Sequence, residues 1–272
     1  MHLENYPKHL SIFYSMNNQK KIAICITAGE QSENHVGMNI NGSGLSKKGF
    51  SLKNIRNFKK TLDDLNINYE YYRLDKMVSI DDLDKASLLI IRNGIKQILD
   101  ESPDNMLDEQ LGFEWDTKYW DSKSNKVLNK RARYNVCYGN FNQEPDYENK
   151  KGKIVSYDKL PILNKWRNKL GDIFGSKSSN LEMEGNFYYD TTKCGINFHG
   201  DSERKKVIAC SLGESRPIHW QWYFQGKPIG ERLKFDINHG DIYIMSEKTT
   251  GNDWKNWNDK TLRHAAGVKY TK

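Results

Sequence analysis

The chain has 272 residues, a net charge of +7 and 28% charged residues against 37% hydrophobic ones. It is long enough to bury a substantial core, as one large or two small domains. No apolar run reaches the length of a membrane span, and the first residues lack the basic-then-apolar order of a signal peptide.

Residues 21–27 (KIAICIT) read as a buried strand, and Gly29 opens a polar segment running through the Gly42-Ser43-Gly44 turn. Ser51 is placed to cap a helix whose apolar positions Ile55, Phe58, Leu62 and Leu65 recur at helical spacing. Residues 69–73 and 87–91 read as further strands. Alternation of strand and helix predicts a small α/β module over residues 1–100. Gly42, Gly44 and Gly49 do not make a dinucleotide fingerprint, and no P-loop is present. Docking or substrate recognition is the role expected of this module. Residues 101–130, rich in Asp, Ser, Asn and Lys, read as a linker anchored by Phe113, Trp115 and Trp120. Residues 126–133 (KVLNKRAR) form the densest basic patch, either a solvated helix face or an edge that meets phosphates.

The remaining residues, 131–272, carry many short strands separated by turn signals. These are 184–190 (EGNFYYD), 207–213 (VIACSLG), 220–224 (WQWYF), 233–237 (LKFDI) and 242–245 (IYIM). Such a series fits a double-stranded β-helix, a relative of the jelly roll. The fold class expected is therefore α+β, a jelly-roll core with the small N-terminal module. Within the core, residues 195–201 (GINFHGD) offer His199 and Asp201 at i and i+2, which on a strand point the same way. Gly200 between them lets another group approach closely. With His264 from residues 261–267 (TLRHAAG), the set is two imidazoles and one carboxylate. That is the facial triad of non-haem Fe(II), which leaves positions open for O2 and a co-substrate.

The run Asn186-Phe187-Tyr188, then His199-Gly200-Asp201, Ser211-Leu212-Gly213, Gly240-Asp241-Ile242 and His264, resembles the AlkB-like dioxygenases dependent on Fe(II) and 2-oxoglutarate. The stretch from Arg131-Ala132-Arg133-Tyr134-Asn135 through residues 156–161 (SYDKLP) is similar to the region preceding the core in a branch found among large DNA viruses and algae. The resemblance spans roughly residues 131–270. It implies Fe(II) bound by His199, Asp201 and His264, and O2 and 2-oxoglutarate as co-substrates. It also implies hydroxylation or demethylation of the substrate. By motif match, Asn186 and Tyr188 donate hydrogen bonds to 2-oxoglutarate, the alternative for Tyr188 being a core aromatic. The family places an Arg after the distal His to bind the far carboxylate, and this sequence has none. Lys269 and Lys272 are the only basic residues there, and strand parity favours Lys272. Arg204 and Arg263 are the other candidates.

For the substrate, the positive charge points to DNA or RNA, with a modified base favoured. Trp220, Trp222 and Phe224 read either as a base-stacking face or as core. Trp254 and Trp257, in a polar segment before His264, read either as substrate contacts or as pins that hold a loop. Arg204 is a further candidate contact. Hydroxylation of a protein side chain or small molecule, and a non-catalytic jelly-roll binding module, are the alternatives. The four scattered cysteines form no CxxC pair, which predicts a reducing compartment, cytoplasmic or nuclear, and no structural zinc.

Overall fold

A computed structural model of the protein describes residues 21–267. Strands β1 (Ala23–Gly29), β2 (Ser32–Glu33) and β3 (Ile40–Asn41) precede helix α1 (Leu52–Asp64). Strands β4 (Glu70–Arg73) and β5 (Ser87–Ile91) precede helices α2 (Gly94–Leu99) and α3 (Pro103–Leu111). Then come β6 (Lys118–Asp121), β7 (Lys126–Asn129), β8 (Tyr134–Gly139), β9 (Ile154–Ser156) and helix α4 (Pro161–Phe174). The last third holds β10 (Glu182–Tyr188), β11 (Ile196–His199), β12 (Val207–Gly213), β13 (Arg216–Phe224) and β14 (Lys227–Ile237). It ends with β15 (Ile242–Met245), the short helix α5 (Glu247–Thr250) and β16 (Thr261–Ala266).

The fold is mixed α and β, mostly sheet. Eight strands pair in the order β4-β5-β15-β12-β1-β10-β8-β9, and four in the order β11-β16-β13-β14. Neighbours in both sheets are antiparallel except β8 and β9. Neither sheet closes on itself. Period-2 alternation gives the large sheet two buried faces. In β1, Ile24, Ile26 and Ala28 join α1 and α4 in one core, while Ala23 and Cys25 join the small sheet in another. Burial on both sides is why β1, β5 and β12 read as nearly unbroken apolar runs. Helix α1 packs Ile55, Phe58 and Leu62 into the first core. Its start is set by a capping box in which Ser51 Oγ accepts from the Asn54 N–H and Asn54 Oδ1 accepts from the Ser51 N–H. Leu65, expected in that stripe, lies past the helix end and is exposed.

Three expectations need correction here. A boundary at residue 100 does not separate two sheets. Strand β1 lies in the middle of the large sheet, between β12 and β10, and β4 and β5 extend its edge. Residues 101–130 are not a linker. They contain α3, capped by Ser102, whose Met106 is buried and whose Gln110 Oε1 accepts from the Tyr138 hydroxyl at 2.5 Å. Phe113 and Trp115 do act as anchors, packing on the first core. Residues 126–133 are no helix face, since 126–129 form β7. Within that stretch Lys130 is only 5% exposed, donating to Asn34 Oδ1 with Asp116 at 3.7 Å. Burial pushes its ammonium down to about 8, against the pull of Asp116. It therefore has no face to offer a phosphate.

All four cysteines are free and buried. Among the described residues no helix is long and apolar enough to cross a membrane.

Candidate metal centre

The small sheet brings the triad together. Antiparallel pairing sets His199 of β11 opposite His264 of β16, and His264 opposite Trp220 of β13. Strand β11 ends at His199, so Asp201 stands on the loop beyond rather than on the same strand. The loop is shaped by contact, not by strand pleating. A Cβ on Gly200 would lie 1.9 Å from the Gly251 carbonyl oxygen, so only glycine fits. The Asp201 N–H donates to the Thr250 carbonyl at 2.9 Å, and Asn252 Nδ2 donates to the Asp201 carbonyl at 3.0 Å. Trp254 Nε1 donates to Ser202 Oγ at 3.1 Å. Residues 250–254 thus clamp the loop that carries the carboxylate.

One donor atom from each of His199, Asp201 and His264 lies within 4.8 Å of the others. Asp201 Oδ1 is 3.8 Å from His199 Nε2 and 3.7 Å from His264 Nε2, too far for hydrogen bonds. Ligands ~2.1 Å from one ion at right angles lie roughly 3 Å apart, so this is a slightly opened ligand set. His199 Nδ1 faces the carbonyls of Asn197 and His264 at 2.8 and 3.0 Å. That orients the ring and leaves Nε2 as its lone-pair nitrogen, an outer-shell arrangement usual for metal-binding histidine. His264 Nδ1 is buried with no partner among the described residues. Burial, with the nearby His199 and Arg204, holds the His264 pKa well below the usual imidazole value, so the ring is neutral and able to ligate. Burial raises the Asp201 pKa, partly countered by Arg204 and His199. An acid raised by desolvation and a neutral imidazole whose Nε2 is turned toward it are groups that a bound cation would satisfy.

A cavity of about 850 Å³ opens beside the triad. Asn186 and Tyr188, neighbours on one face of β10, both line it. Asn186 Oδ1 accepts from Arg133 Nε and from Asn135 Nδ2, each at 2.5 Å. The Tyr188 ring lies 3.4 Å beneath the Arg216 guanidinium. Trp254 lines the cavity and also pins the loop through its Nε1. Arg204 is in the wall, yet it is buried and ion-paired with Glu184 and Glu203. A Cβ on Gly29 would sit 2.6 Å from Arg204 Cδ, so that glycine makes room for the side chain.

Other expected residues lie elsewhere. Trp222 is fully buried in the core between the sheets and has no surface to stack a base. Trp257 is 65% exposed but lies against the Gly226 turn, outside the cavity wall. Arg263 stacks on Tyr223 at 4.1 Å, turned from the cavity as its register predicts. Lys269 and Lys272 lie outside the described residues. Sequence reasoning missed Arg216, Glu184 and Glu33, all of which line the cavity. For Glu184, a charge inside the EGNFYYD strand pattern was the available signal. Burial pushes the Glu33 carboxyl up to about 7.

No protein-family model matches the chain. Over 250 residues it is 42% identical to the uncharacterized protein R156 of Acanthamoeba polyphaga mimivirus, an alignment covering 91% of this chain and 96% of the viral one. The chain belongs to the same family as that mimivirus protein.

Proposed function

We propose that the protein is an Fe(II)- and 2-oxoglutarate-dependent dioxygenase that hydroxylates or demethylates its substrate, a modified base of DNA or RNA. The observation that carries this reading is the convergence of His199 Nε2, His264 Nε2 and Asp201 Oδ1 at the edge of a cavity large enough for a co-substrate. Two imidazoles and a carboxylate on one side are the donor set of non-haem Fe(II) oxygenases. Bound there, iron with 2-oxoglutarate supplies the oxidising chemistry, in which O2 is consumed, succinate and CO2 are released and one oxygen enters a substrate C–H bond.

The chain's own residues do the rest. His199 is oriented through Nδ1, and Asp201 is held by the 250–254 clamp. With its Oδ1 engaged by Arg133 and Asn135, Asn186 keeps its Nδ2 to donate to the keto acid. The Tyr188 hydroxyl is the second donor in the same wall. Val207, Ile218 and Met245 line the cavity's apolar side and keep water from the reacting centre.

Strand order supports the jelly-roll reading of the core. From β10 to β16 the chain places β10, β12 and β15 in the large sheet and β11, β13, β14 and β16 in the small one. These are seven places of an eight-strand jelly roll. The N-terminal β1, inserted between β12 and β10, takes the eighth.

For the substrate, the support is charge near the mouth. His35 at the cavity rim stacks on Tyr119 of β6, at 3.7 Å between ring centroids. The β6–β7 hairpin carries exposed Lys118, Lys123 and Lys126, and Arg131 follows it, also exposed. A base in duplex must be flipped to enter such a pocket.

Anaerobic titration of Fe(II) and 2-oxoglutarate tests the chemistry. A weak visible charge-transfer absorption is expected, lost in Asp201→Ala and His264→Ala proteins that still melt cooperatively. Wild-type protein with neither that absorption nor 2-oxoglutarate turnover would sink the reading. Succinate release screened over methylated DNA, methylated RNA, unmodified polymers and peptides tests the substrate. For a nucleic acid, Arg131→Gln should reduce the slope of log affinity against log salt by about one.

A further inference from the structure

We propose that Arg216 binds the distal carboxylate of the five-carbon keto diacid, an assignment that rests on the dioxygenase reading. Arg216 opens β13, is 6% exposed, and lines the same cavity as the triad. Among the described residues its Nε and Nη1 are buried with no hydrogen-bond partner, and no acidic side chain pairs with it. A guanidinium cannot shed its proton to escape this situation. Stacking on Tyr188 at 3.4 Å offsets only part of the penalty for burying an unpaired charge. Two buried, unpartnered guanidinium nitrogens facing the cavity fit an anionic group.

The other cations of the cavity are already engaged or stand outside. Arg204 is paired with Glu184 and Glu203, and Arg133 Nε donates to Asn186 Oδ1. Lys255 is exposed at the mouth. Strand β1, between β12 and β10, contributes Cys25 and Thr27 to the wall, neither of them a cation.

The spacing suits a diacid. In the β13–β16 ladder Trp220 is opposite His264 and Ile218 opposite Ala266. Arg216 is two residues further along the same face, so its Cα stands about 13 Å along the strand from the Trp220–His264 row. An arginine side chain and a five-carbon diacid laid end to end span that distance. The planar fork of the guanidinium matches a carboxylate with two parallel hydrogen bonds, which a keto acid lacking the distal carboxylate cannot make. Tyr243, whose hydroxyl is 3.3 Å from Cys25 Sγ, completes the wall at this end.

Calorimetry on the Fe(II)-loaded protein under anaerobic conditions tests the assignment, with 2-oxoglutarate and 2-oxopentanoate as paired probes. Wild type should prefer 2-oxoglutarate. Arg216→Met should weaken 2-oxoglutarate about ten- to hundredfold and leave 2-oxopentanoate unchanged, erasing the preference. Arg216→Lys should keep part of it, and Fe(II) affinity without keto acid should not move. Unchanged 2-oxoglutarate binding in both variants overturns the assignment. So does an equal loss for both probes, which would mark general damage to the pocket. If Arg216→Met does not fold, Arg216→Lys decides: a reduced preference in a stable protein supports the role, an undiminished one refutes it. Wild type binding neither probe would instead bring down the dioxygenase reading beneath it.

Discussion

Replacing Gly200 by alanine probes whether loop packing, rather than strand geometry, places Asp201. The added Cβ would lie 1.9 Å from the Gly251 oxygen, 2.6 Å from its carbonyl carbon and 2.7 Å from Trp254 Cδ1. Real Cβ contacts essentially never fall below 3.0 Å, so the two segments must part by roughly an ångström. Both flanking hydrogen bonds oppose this, the Asp201 N–H to Thr250 at 2.9 Å and Asn252 Nδ2 to the Asp201 carbonyl at 3.0 Å. Overpacking of this kind costs about 1–3 kcal/mol of stability. The larger effect falls on the site. A metal centre tolerates displacements of only about 0.5 Å, and losing an orienting contact weakens metal binding about 10–100-fold. The assay is Fe(II) or Co(II) affinity by anaerobic titration, beside a thermal melt of the metal-free protein. Wild-type metal affinity in Gly200→Ala, at any stability, would refute the claim that the 250–254 clamp sets the carboxylate.

Two further outcomes separate residues that look alike in sequence. Trp222→Ala should lose about 3–5 kcal/mol of stability, as for any large aromatic removed from a packed core, while exposed Trp257→Ala should stay within about 0.5 kcal/mol of wild type. Equal denaturation midpoints for the two would contradict the burial described. The Glu33 carboxyl, raised from 4.5 to about 7, binds a proton more tightly in the folded state than in the unfolded one, so the wild type loses stability as pH rises across that window. Glu33→Gln removes the loss and should gain about 1 kcal/mol over wild type at pH 8, the side chain being half-buried and partly screened, with little difference at pH 4. A difference that does not vary with pH would show that Glu33 does not titrate in this range.

What could be read from the chain follows from which relations are local. Helix α1 was legible because its cap and its stripe of Ile55, Phe58 and Leu62 sit within a dozen residues. The pairing of His199 with Asp201 was legible for the same reason, although the loop that holds Asp201 takes its shape from Gly251, far along the chain. Strand β1 was recognised as buried, but its place between β12 and β10 was not, since antiparallel partners more than 150 residues away leave no mark on a single strand. One signal did exist: a run apolar at both parities, such as AICITAG, belongs to a strand covered on both faces and hence to the middle of a sheet. Trp222 shows the opposite limit. Alternation at Trp220, Trp222 and Phe224 tells that three rings share a face, never which face meets solvent. Lys130 and Arg216 mark the same limit for charge. Neither is marked out from the other basic residues in sequence, and only the remote Asp116 and Asn34, or the lack of an acid partner among the described residues, separates a structural lysine from the arginine proposed to bind an anion. Charge counted along a chain speaks to encounter with a polyanion. Charge counted by partner, in the folded protein, is what singles out Arg216 as the residue proposed to bind one small acid.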